Sequence, residues 1–244
     1  MVVDASLVSK RFAEAQASYD AHAVVQHQVF LSLLDRLCDY QNHFEHILDI
    51  GCGDGSKTTR LKQVLEAQSI VGIDACSALI AKADKSPEID FYTLDFDHEL
   101  DVLNRRFDLI VSNMALQWSK DLPGLLHKLT RFLKPESMVA LSLPLTGTFA
   151  ELQGYFRINA FYACHELNTL ISNAGFEVID AKEQLFTLQF QSRRAQLEHL
   201  RLTGVNCYTG NKPRHTVAHL RACLNDVNPI NLSYRVGTFI ARFH

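Results

Sequence analysis

Several features that would define other protein classes are missing from this sequence of 244 residues. No apolar run approaches the roughly 20 residues that a membrane-spanning helix needs, and the first residues lack a charged-then-apolar signal pattern. The six cysteines form no Cys-x-x-Cys pair, which argues against a zinc site and a disulfide framework. The eleven histidines do not combine helical spacing with a carboxylate as a metal site would. We therefore expect a cytoplasmic protein with reduced thiols, no metal, and no membrane or nucleic-acid partner.

The most informative motif that is present is Ile47-Leu-Asp-Ile-Gly-Cys-Gly-Asp-Gly55. It predicts a short apolar strand that runs into a turn, where Gly51, Gly53 and Gly55 let the backbone turn tightly and approach a ligand. A second predicted strand ends at Asp74, about 20 residues after the glycines, where a carboxylate can accept both hydroxyls of a ribose. This spacing indicates a βαβ unit that binds a ribonucleoside cofactor.

The residues around the turn distinguish two classes of cofactor that use such a unit. A nicotinamide or flavin dinucleotide brings a pyrophosphate, which favours G-x-G-x-x-G/A and no carboxylate nearby, because the anion would be repelled. Here the pattern is G-x-G-x-G, Ser56 stands where the third glycine or alanine belongs, and Asp49 and Asp54 add negative charge. S-adenosylmethionine (SAM) carries a sulfonium and an ammonium, so the acidic turn favours SAM.

Strand-like apolar runs alternate with helical patterns along the chain. This order predicts an α/β fold with a doubly wound, mostly parallel seven-stranded sheet. The turn Lys134-Pro-Glu-Ser137 is expected to separate a helix from the fifth strand. The seven predicted strands are 46–50, 69–74, 89–94, 107–112, 138–143, 176–181 and 232–242.

The domain organisation expected from these patterns is a single domain over residues 1–244. Residues 1–40 form an N-terminal helical segment, and residues 190–225 form a helical insert before the last strand. The insert is too long for an ordinary turn, and long structured insertions beside a cofactor site are often lids. We interpret the insert as a lid over the substrate.

Further cofactor contacts are predicted at the ends of the third and fourth strands. The carboxylate of Asp95 can accept from the exocyclic amine of adenine while Phe96 packs on the ring; a solvated acidic loop is the alternative, because more acidic residues follow. The fourth strand delivers residues 112–118 at its carboxyl end, where ligands bind in doubly wound sheets. The expected cofactor contacts are Asp49, Gly51, Gly53, Gly55, Asp74, Ala75, Asp95, Phe96, Asn113 and Met114.

The chain resembles a known family in these motifs and in several others. The glycine motif, Asp74 and Asp95 resemble the class I SAM-dependent methyltransferases over about residues 45–145. Segments along nearly the whole chain are similar to the malonyl-acyl-carrier-protein O-methyltransferases of biotin synthesis. These segments are Lys10-Arg-Phe12, Ala17-Ser-Tyr-Asp-Ala-His-Ala23 with Gln26, Ser112-Asn-Met-Ala-Leu-Gln-Trp118, Gly147-Thr-Phe-Ala-Glu-Leu152, Leu200-Arg-Leu-Thr-Gly-Val-Asn206 and Leu232-Ser-Tyr234.

The resemblance implies methyl transfer from SAM to the free carboxylate of a malonyl thioester, with S-adenosylhomocysteine as the other product. The malonyl group would be carried by acyl carrier protein or by coenzyme A, and the reaction would be the first step of pimeloyl formation. A carboxylate with a pKa of about 3 to 4 is already ionised at neutral pH, so no general base is needed. Catalysis can then depend on positioning the acceptor and excluding water.

Three residues are candidates for the acceptor side of the site. Tyr19 could donate its hydroxyl near the methyl group, and Gln117 and Trp118 could form a wall. Tyr19 could instead be an ordinary helix-face tyrosine, and Trp118, the one tryptophan, could belong to the core. A cation should meet the acceptor carboxylate. Arg201 is the first choice for that cation, and Lys10 or Arg11 is the second.

Basic residues collect in the predicted lid, although the chain as a whole has a formal net charge of -3. An acidic carrier protein and the phosphate of its prosthetic arm could dock there through electrostatic steering. A solvated surface with scattered charges is the alternative. The basic residues expected to dock the carrier are Arg193, Arg194, Lys212, Arg214 and Arg221.

The chain departs from the resembled family between Tyr155 and Ala163. This stretch is shorter here and reads Asn159-Ala-Phe161, where the family has Asn-Arg-Phe. Three hypotheses stay open. The first is an O-methyltransferase of a malonyl thioester or of another small acid. The second, favoured by the missing arginine, is a divergent SAM-binding protein with weak catalysis, and the third is a nucleotide-dependent oxidoreductase, which the glycine turn disfavours.

Overall fold

The computed structural model describes residues 5–84, 86–153, 155–156, 158–205 and 230–244. Its strands are β1 His46–Ile50, β2 Ser69–Asp74, β3 Ile89–Thr93, β4 Phe107–Asn113, β5 Leu133–Pro144, β6 Glu177–Phe190 and β7 Ile230–Phe243. They form one sheet in the order β3-β2-β1-β4-β5-β7-β6. Strands β1 to β5 run parallel, and β7 lies antiparallel between β5 and β6. The predicted mostly parallel seven-stranded sheet is confirmed.

Eight α-helices accompany these strands in the described ranges. The sequence marks some of their ends: Asp121 caps α6 by accepting from the backbone N–H of Gly124 at 3.1 Å, and Gly175 follows α7 with a φ of +99°. The helices are α1 Ala5–Ala15, α2 Tyr19–His22, α3 Val24–Cys38, α4 Ser56–Val64, α5 Ser77–Ile80, α6 Leu122–Leu129, α7 Cys164–Asn173 and α8 Arg193–Leu202.

Helices cover both faces of the sheet, and strand residues alternate between them. On β1, Leu48 and Ile50 pack in one apolar cluster with α6 and α7, whereas Ile47 packs in a second cluster with α3 and α4. Strands that are buried on both faces read as nearly continuous apolar runs. That pattern is why the sequence of β1 and β2 identifies them so readily.

A third apolar cluster lies toward the antiparallel side of the sheet. It joins Val25 and Val29 of α3 to Leu200 of α8 and to Leu232 and Tyr234 of β7. This cluster attaches α8 to the sheet and forms one side of a cavity described below.

Two predicted strand bounds differ from the structure by several residues: the fifth strand begins earlier than predicted, and the sixth, predicted to end at residue 181, continues to Phe190. Residues 134–137 form part of β5, not a turn that precedes it. The pairing of β5 with β4 is irregular between Phe107 and Leu109, and its pairing with β7 begins only at Ser137. Pro135 therefore lies where an amide N–H is not needed for a regular ladder, which is where strands accept proline.

The structure describes only part of the segment on which the other predictions of domain organisation rest. Of the predicted insert 190–225, helix α8 belongs to the described chain, and residues 206–229 lie outside it. The role of the insert as a lid and the single-domain organisation stay predictions. Within the described ranges, no helix combines the length and the apolar character needed to cross a membrane.

Candidate active site

Two adjoining cavities open at the carboxyl ends of β1, β2 and β4, where doubly wound sheets bind ligands. The glycine-loop cavity, of about 110 Å³, is lined by the turn after β1, the end of β2 and part of α1. The aromatic cavity, of about 510 Å³, is lined by segments that follow β4 and β5, by α8 and by β7. Four side chains line both cavities. They are Phe12, Tyr19, Met114 and Trp118.

The three glycines of the turn have different roles. All three have positive φ values, +78°, +61° and +80° in chain order, which L side chains rarely adopt. A Cβ at Gly51 would overlap Ala115, whereas a Cβ at Gly53 would meet open space beside the cavity. A Cβ at Gly55 would run into the ring of Phe91, and Gly55 is not part of the cavity lining. Gly55 therefore has a packing role at the start of α4, and its expected contact with the cofactor stays a prediction.

The carboxylate of Asp74 ties the turn to the end of β2. Its Oδ2 accepts from the N–H of Gly53 at 3.0 Å, and its Oδ1 accepts from the N–H of Cys76 at 2.8 Å. Burial raises the pKa of Asp74, and the two N–H donors oppose that rise. Each carboxylate oxygen keeps a further lone pair, and Asp74 and Ala75 both line the cavity. Asp74 can therefore still accept from ribose hydroxyls.

The carboxyl of Asp49 is buried in the wall of the same cavity. The hydroxyl of Thr58 donates to its Oδ2 at 2.6 Å. Burial raises the pKa of Asp49 to about 6; the bond from Thr58 and the charge of Lys57 oppose the rise, and Asp74 adds to it. A positive charge bound in the cavity would favour the ionised form of Asp49. Binding of a cation would therefore shift Asp49 toward its negatively charged form.

Acidic residues dominate the lining of the glycine-loop cavity. Asp95 lines it and accepts from the N–H of Asp97 at 2.9 Å. Asp97, which the sequence analysis missed, accepts from Ser119 Oγ at 2.6 Å and from the N–H of Lys120 at 2.9 Å, and so joins the loops after β3 and β4. The charged lining residues are Asp49, Asp54, Asp74, Asp95 and Asp97 against Lys57.

The cavity brings together nine of the ten residues predicted to bind the cofactor. These are Asp49, Gly51, Gly53, Asp74, Ala75, Asp95, Phe96, Asn113 and Met114. The open space at Gly53 and the excess of carboxylates fit a ribonucleoside that carries positive charge. They do not suit a pyrophosphate, which the carboxylates would repel. Each individual contact with a cofactor stays a prediction.

The aromatic cavity is mostly apolar, and most of its lining was not predicted. The lining comes from α3, the segment after β5, α8 and β7, which are far apart in the sequence. Several of them belong to the segments of the family resemblance, but nothing in the sequence shows that they line one cavity, because they meet only through the tertiary fold. The unpredicted lining includes Gln26, Thr148, Phe149, Leu152, Phe156, Ile158, Asn159, Phe161, Leu197, Leu200, Val205 and Tyr234.

The three predicted acceptor-side residues all line the aromatic cavity. The ring of Tyr19 lies 6.0 Å from the ring of Phe12, and Lys57 Nζ lies 5.6 Å from the Tyr19 ring centroid. Trp118 meets Phe12 edge-on at 6.2 Å. Gln117 is fixed by a 2.6 Å hydrogen bond from its Nε2 to the carbonyl of Met114. Their roles toward an acceptor stay predictions.

The basic residues of α8 and of α1 are placed differently from one another. Arg201 lines the aromatic cavity, but its guanidinium donates two hydrogen bonds to Glu198, of 2.9 and 2.6 Å. Arg194 also lines the cavity, is exposed, and forms no ion pair within the described part of the chain. Lys10 and Arg11, the second choice for a substrate cation, line neither cavity.

The prediction that Arg193 docks the carrier is wrong, because this residue is buried. Its side chain is 4 % exposed, donates to the carbonyl of Glu151 at 3.3 Å and to Gln196 Oε1 at 2.6 Å, and lies 4.7 Å over the ring of Tyr155. A guanidinium held in this way faces the protein interior and cannot meet a partner. The other docking candidates on the insert, Lys212, Arg214 and Arg221, lie outside the described residues.

The sheet order and the acidic glycine-loop cavity at its carboxyl edge are those of a class I methyltransferase. A model of the family described as "Methyltransferase domain" matches residues 22–181. The chain is 30 % identical over 238 residues to malonyl-[acyl-carrier protein] O-methyltransferase 2 of Coxiella burnetii, covering 96 % of this chain and 95 % of that protein. The chain belongs to this methyltransferase family.

Further comparisons agree with this assignment. The malonyl-[acyl-carrier protein] O-methyltransferase of Porphyromonas gingivalis is 30 % identical over 223 residues, covering 91 % of this chain and 85 % of that protein. The solved structure of N-methyltransferase NodS from Bradyrhizobium japonicum with S-adenosyl-L-homocysteine has a TM-score of 0.52 at 13 % identity, and covers 89 % of this chain and 85 % of NodS. The solved structure of the [4+2]-cyclase SpnF has a TM-score of 0.57 at 17 % identity, and covers 87 % of this chain and 80 % of SpnF. At such low identities these two comparisons show only that the chain shares the fold of NodS and SpnF.

Proposed function

We propose that this methyltransferase uses SAM to methylate the free carboxylate of a malonyl group carried as a thioester on acyl carrier protein. The observation that carries the proposal is the junction of the two cavities at Phe12, Tyr19, Met114 and Trp118. An acidic nucleoside site and an apolar acceptor site meet there, so that donor and acceptor can lie side by side. The names of the relatives from Coxiella burnetii and Porphyromonas gingivalis support this choice of acceptor. The reaction would open pimeloyl formation in biotin synthesis.

The side chains around the aromatic cavity favour an acceptor that is already ionised. When bound, SAM supplies an electrophilic methyl group on a sulfonium. Within the described chain, no histidine, lysine, aspartate or cysteine lines the aromatic cavity, and the one carboxylate there, Glu198, is held by Arg201. An amine or alcohol acceptor would need a general base. A carboxylate acceptor does not, because it is ionised at neutral pH.

The chain's own residues would position the acceptor and keep water out. The Tyr19 hydroxyl can donate to a carboxylate oxygen at the junction, and the rings of Phe12 and Trp118, which line the same junction, would keep water from it. Asn159 and Phe161 line the aromatic cavity, whereas Ala160 between them does not. The cation that the resembled family has at that position is therefore missing here. Among the residues that the structure describes, Arg194 is the exposed cation left at the cavity, since Arg201 is paired with Glu198.

The direct test is incubation of the protein with methyl-labelled SAM and malonyl-acyl carrier protein. We expect label in a base-labile methyl ester on the carrier, and none when the carrier bears an acetyl group, which has no free carboxylate. Calorimetry with SAM, S-adenosylhomocysteine and NAD runs alongside. Binding of SAM without transfer to malonyl or to other small acids would favour the divergent SAM-binding protein. Binding of NAD in preference to SAM would favour the oxidoreductase.

Docking of the carrier is tested separately through Arg194. We expect Arg194→Glu to raise KM for malonyl-acyl carrier protein and to flatten its dependence on salt, because steering between opposite charges is screened by salt. KM for malonyl-coenzyme A would change less. Arg106→Glu is the matched control, since Arg106 is exposed and lies outside both cavities. An unchanged KM in Arg194→Glu would remove Arg194 from the docking surface. The cytoplasmic location stays a prediction.

A further inference from the structure

Three buried polar atoms without hydrogen-bond partners belong to side chains that line the aromatic cavity. They are Gln26 Oε1, Gln117 Oε1 and Trp118 Nε1, each unpartnered within the described part of the chain. Buried polar atoms are almost always paired in folded proteins, and leaving one unpaired costs stability. Three such atoms around one cavity are a set that a ligand can complete.

Two of these atoms can be assigned as hydrogen-bond donor or acceptor. Gln117 Nε2 donates to the carbonyl of Met114 at 2.6 Å, which only a nitrogen can do, so the free atom of that amide is the acceptor oxygen. Trp118 Nε1 can only donate. The neighbouring residues 117 and 118 therefore bring one acceptor and one donor to the same wall. Gln26 has a buried, unpartnered amide oxygen, and rotation about its last torsion can exchange oxygen and nitrogen at little cost.

A carboxylate does not complement this set, because it has no hydrogen to give to Gln117 Oε1. A secondary amide does, since its N–H can donate to Gln117 and its carbonyl can accept from Trp118. The cavity, at about 510 Å³, is also in the range that holds a ligand of drug size, far larger than a three-carbon acid. The prosthetic arm that carries a malonyl group on acyl carrier protein or coenzyme A contains secondary amides next to the thioester.

We propose that Gln117 and Trp118, with Gln26 beside them, form a recognition site for a secondary amide of the arm that carries the acceptor. The inference rests on the proposed function, because it needs the acceptor to be a thioester on such an arm. In the free protein the three atoms are covered by their neighbours, so binding includes a shift of the groups that cover them, while Gln117 keeps its hydrogen bond to Met114. The site selects arm-borne acids over free acids.

The test compares two small thioesters of the same size and without any carrier protein. One is malonyl-pantetheine, and the other is its analogue in which both amide N–H groups are replaced by ester oxygens. The wild-type protein should show a kcat/KM for the amide substrate roughly three- to tenfold above that for the ester, the effect of losing one neutral hydrogen bond. Equal values would overturn the proposal and would mean that water satisfies these side chains. Methylation of neither substrate nor of malonyl-acyl carrier protein would instead contradict the proposed function.

Variants identify the residues responsible. Gln117→Met should bring the amide-to-ester ratio to about one by lowering kcat/KM for the amide substrate alone. Trp118→Phe removes the donor to the carbonyl, which both substrates keep, so it should lower both values and preserve the ratio. Gln189→Met is the matched control, because Gln189 is exposed on β6 and lines neither cavity. A ratio that survives in Gln117→Met would overturn the assignment of that residue.

Gln26 supplies a measurement that does not depend on turnover. Its side chain is 3 % exposed, and removing an unpaired buried amide should not destabilise the free protein. We expect Gln26→Leu to keep or raise the Tm while it lowers kcat/KM for malonyl-pantetheine. A clear fall in Tm would show that Gln26 serves the fold, and would remove it from the recognition site.

Discussion

The hydroxyl of Thr58 donates a 2.6 Å hydrogen bond to the buried carboxyl of Asp49 in the wall of the glycine-loop cavity. Burial still raises the pKa of Asp49 to about 6. The carboxyl is therefore mostly protonated below that pH and ionised above it. A bound cation favours the ionised form.

Affinity for SAM should accordingly increase as pH rises from about 5 to about 7, with protons released on binding near pH 6. Calorimetry in two buffers of different ionisation enthalpy measures that release. Asp49→Asn should weaken binding at pH 7 and flatten the pH dependence. Asp90→Asn, at an exposed position of β3 outside the cavity, should leave both unchanged. A profile that stays steep in Asp49→Asn would assign the titration to another group.

The buried pair His199 and Tyr234, whose Nε2 and hydroxyl lie 3.0 Å apart, gives a second pH dependence, this time of stability. Burial, with a contribution from the charge of His22, lowers the pKa of His199 from 6.5 to about 4. The unfolded chain thus binds more protons than the folded chain between these values. The stability that neutral His199 contributes is present above about pH 6.5 and is lost as pH falls toward 4.

The raised pKa of Asp49 changes stability in the opposite direction over the same pH range. The stability that Asp49 contributes is lost as pH rises through about 6. The two effects are separated by comparing variants with the wild type. His199→Gln keeps a polar group beside Tyr234 without titrating, so urea unfolding should show it gaining stability relative to wild type between pH 7 and pH 5. His127→Gln, exposed on α6, should show no such gain. A constant difference across this range would contradict the assignment.

The contrast between Gly53 and Gly55 predicts two different defects from the same substitution. Gly53→Ala places a methyl group in open space beside the cavity. Its stability loss should be limited to about 1 to 2 kcal/mol for the left-handed backbone, while affinity for SAM falls more than tenfold. Gly55→Ala pushes a methyl group into the ring of Phe91. It should lower the Tm more than Gly53→Ala does.

Thermal melts and calorimetry on both variants check this contrast. Because Gly55 lies outside the cavity lining, SAM should still bind to whatever fraction of Gly55→Ala is folded. If Gly53→Ala binds SAM normally, the ligand does not approach that part of the turn.

Tyr19 lines both cavities, so the loss of its hydroxyl should affect transfer more than cofactor binding. We expect Tyr19→Phe to lower kcat/KM for the acceptor by roughly three- to tenfold, the effect of one neutral hydrogen bond, or by more if the bond is made to a carboxylate. The Kd for SAM should change less than twofold. Tyr40→Phe, 42 % exposed and away from both cavities, is the control. Equal effects in the two variants would make Tyr19 an ordinary helix-face residue.

Much of the parallel half of the sheet was predictable, because most of its strands are short apolar runs bounded by polar residues or glycine. β1 and β2 were predicted with their observed bounds. The start of β5 was not, since Pro135 normally ends an element and only the irregular pairing with β4 makes room for it. Nine cofactor candidates reached the glycine-loop cavity because the carboxyl ends of parallel strands meet at one edge of the sheet.

The aromatic cavity was harder to predict, because the residues that build it come from separate elements. Gln26 and Tyr234 belong to segments of the family resemblance, yet nothing in the sequence says that they face one space. The burial of Arg193 was not predictable either. It shares a helical face with Gln196, His199 and Leu200, at spacings of three or four residues, and all four are buried. Three of these four residues are polar, so the sequence has no apolar pattern that would mark this face as buried.

The position of β7 between β5 and β6 has a consequence for synthesis of the chain. β6 has no other strand partner in the described sheet, and β7 follows it only about 40 residues later. A chain that stalls before Ile230 exposes the edge of β5 and both edges of β6 together. Unpaired edges of that length invite aggregation and proteolysis. Quality control of the nascent protein therefore depends on whether β7 has been synthesised.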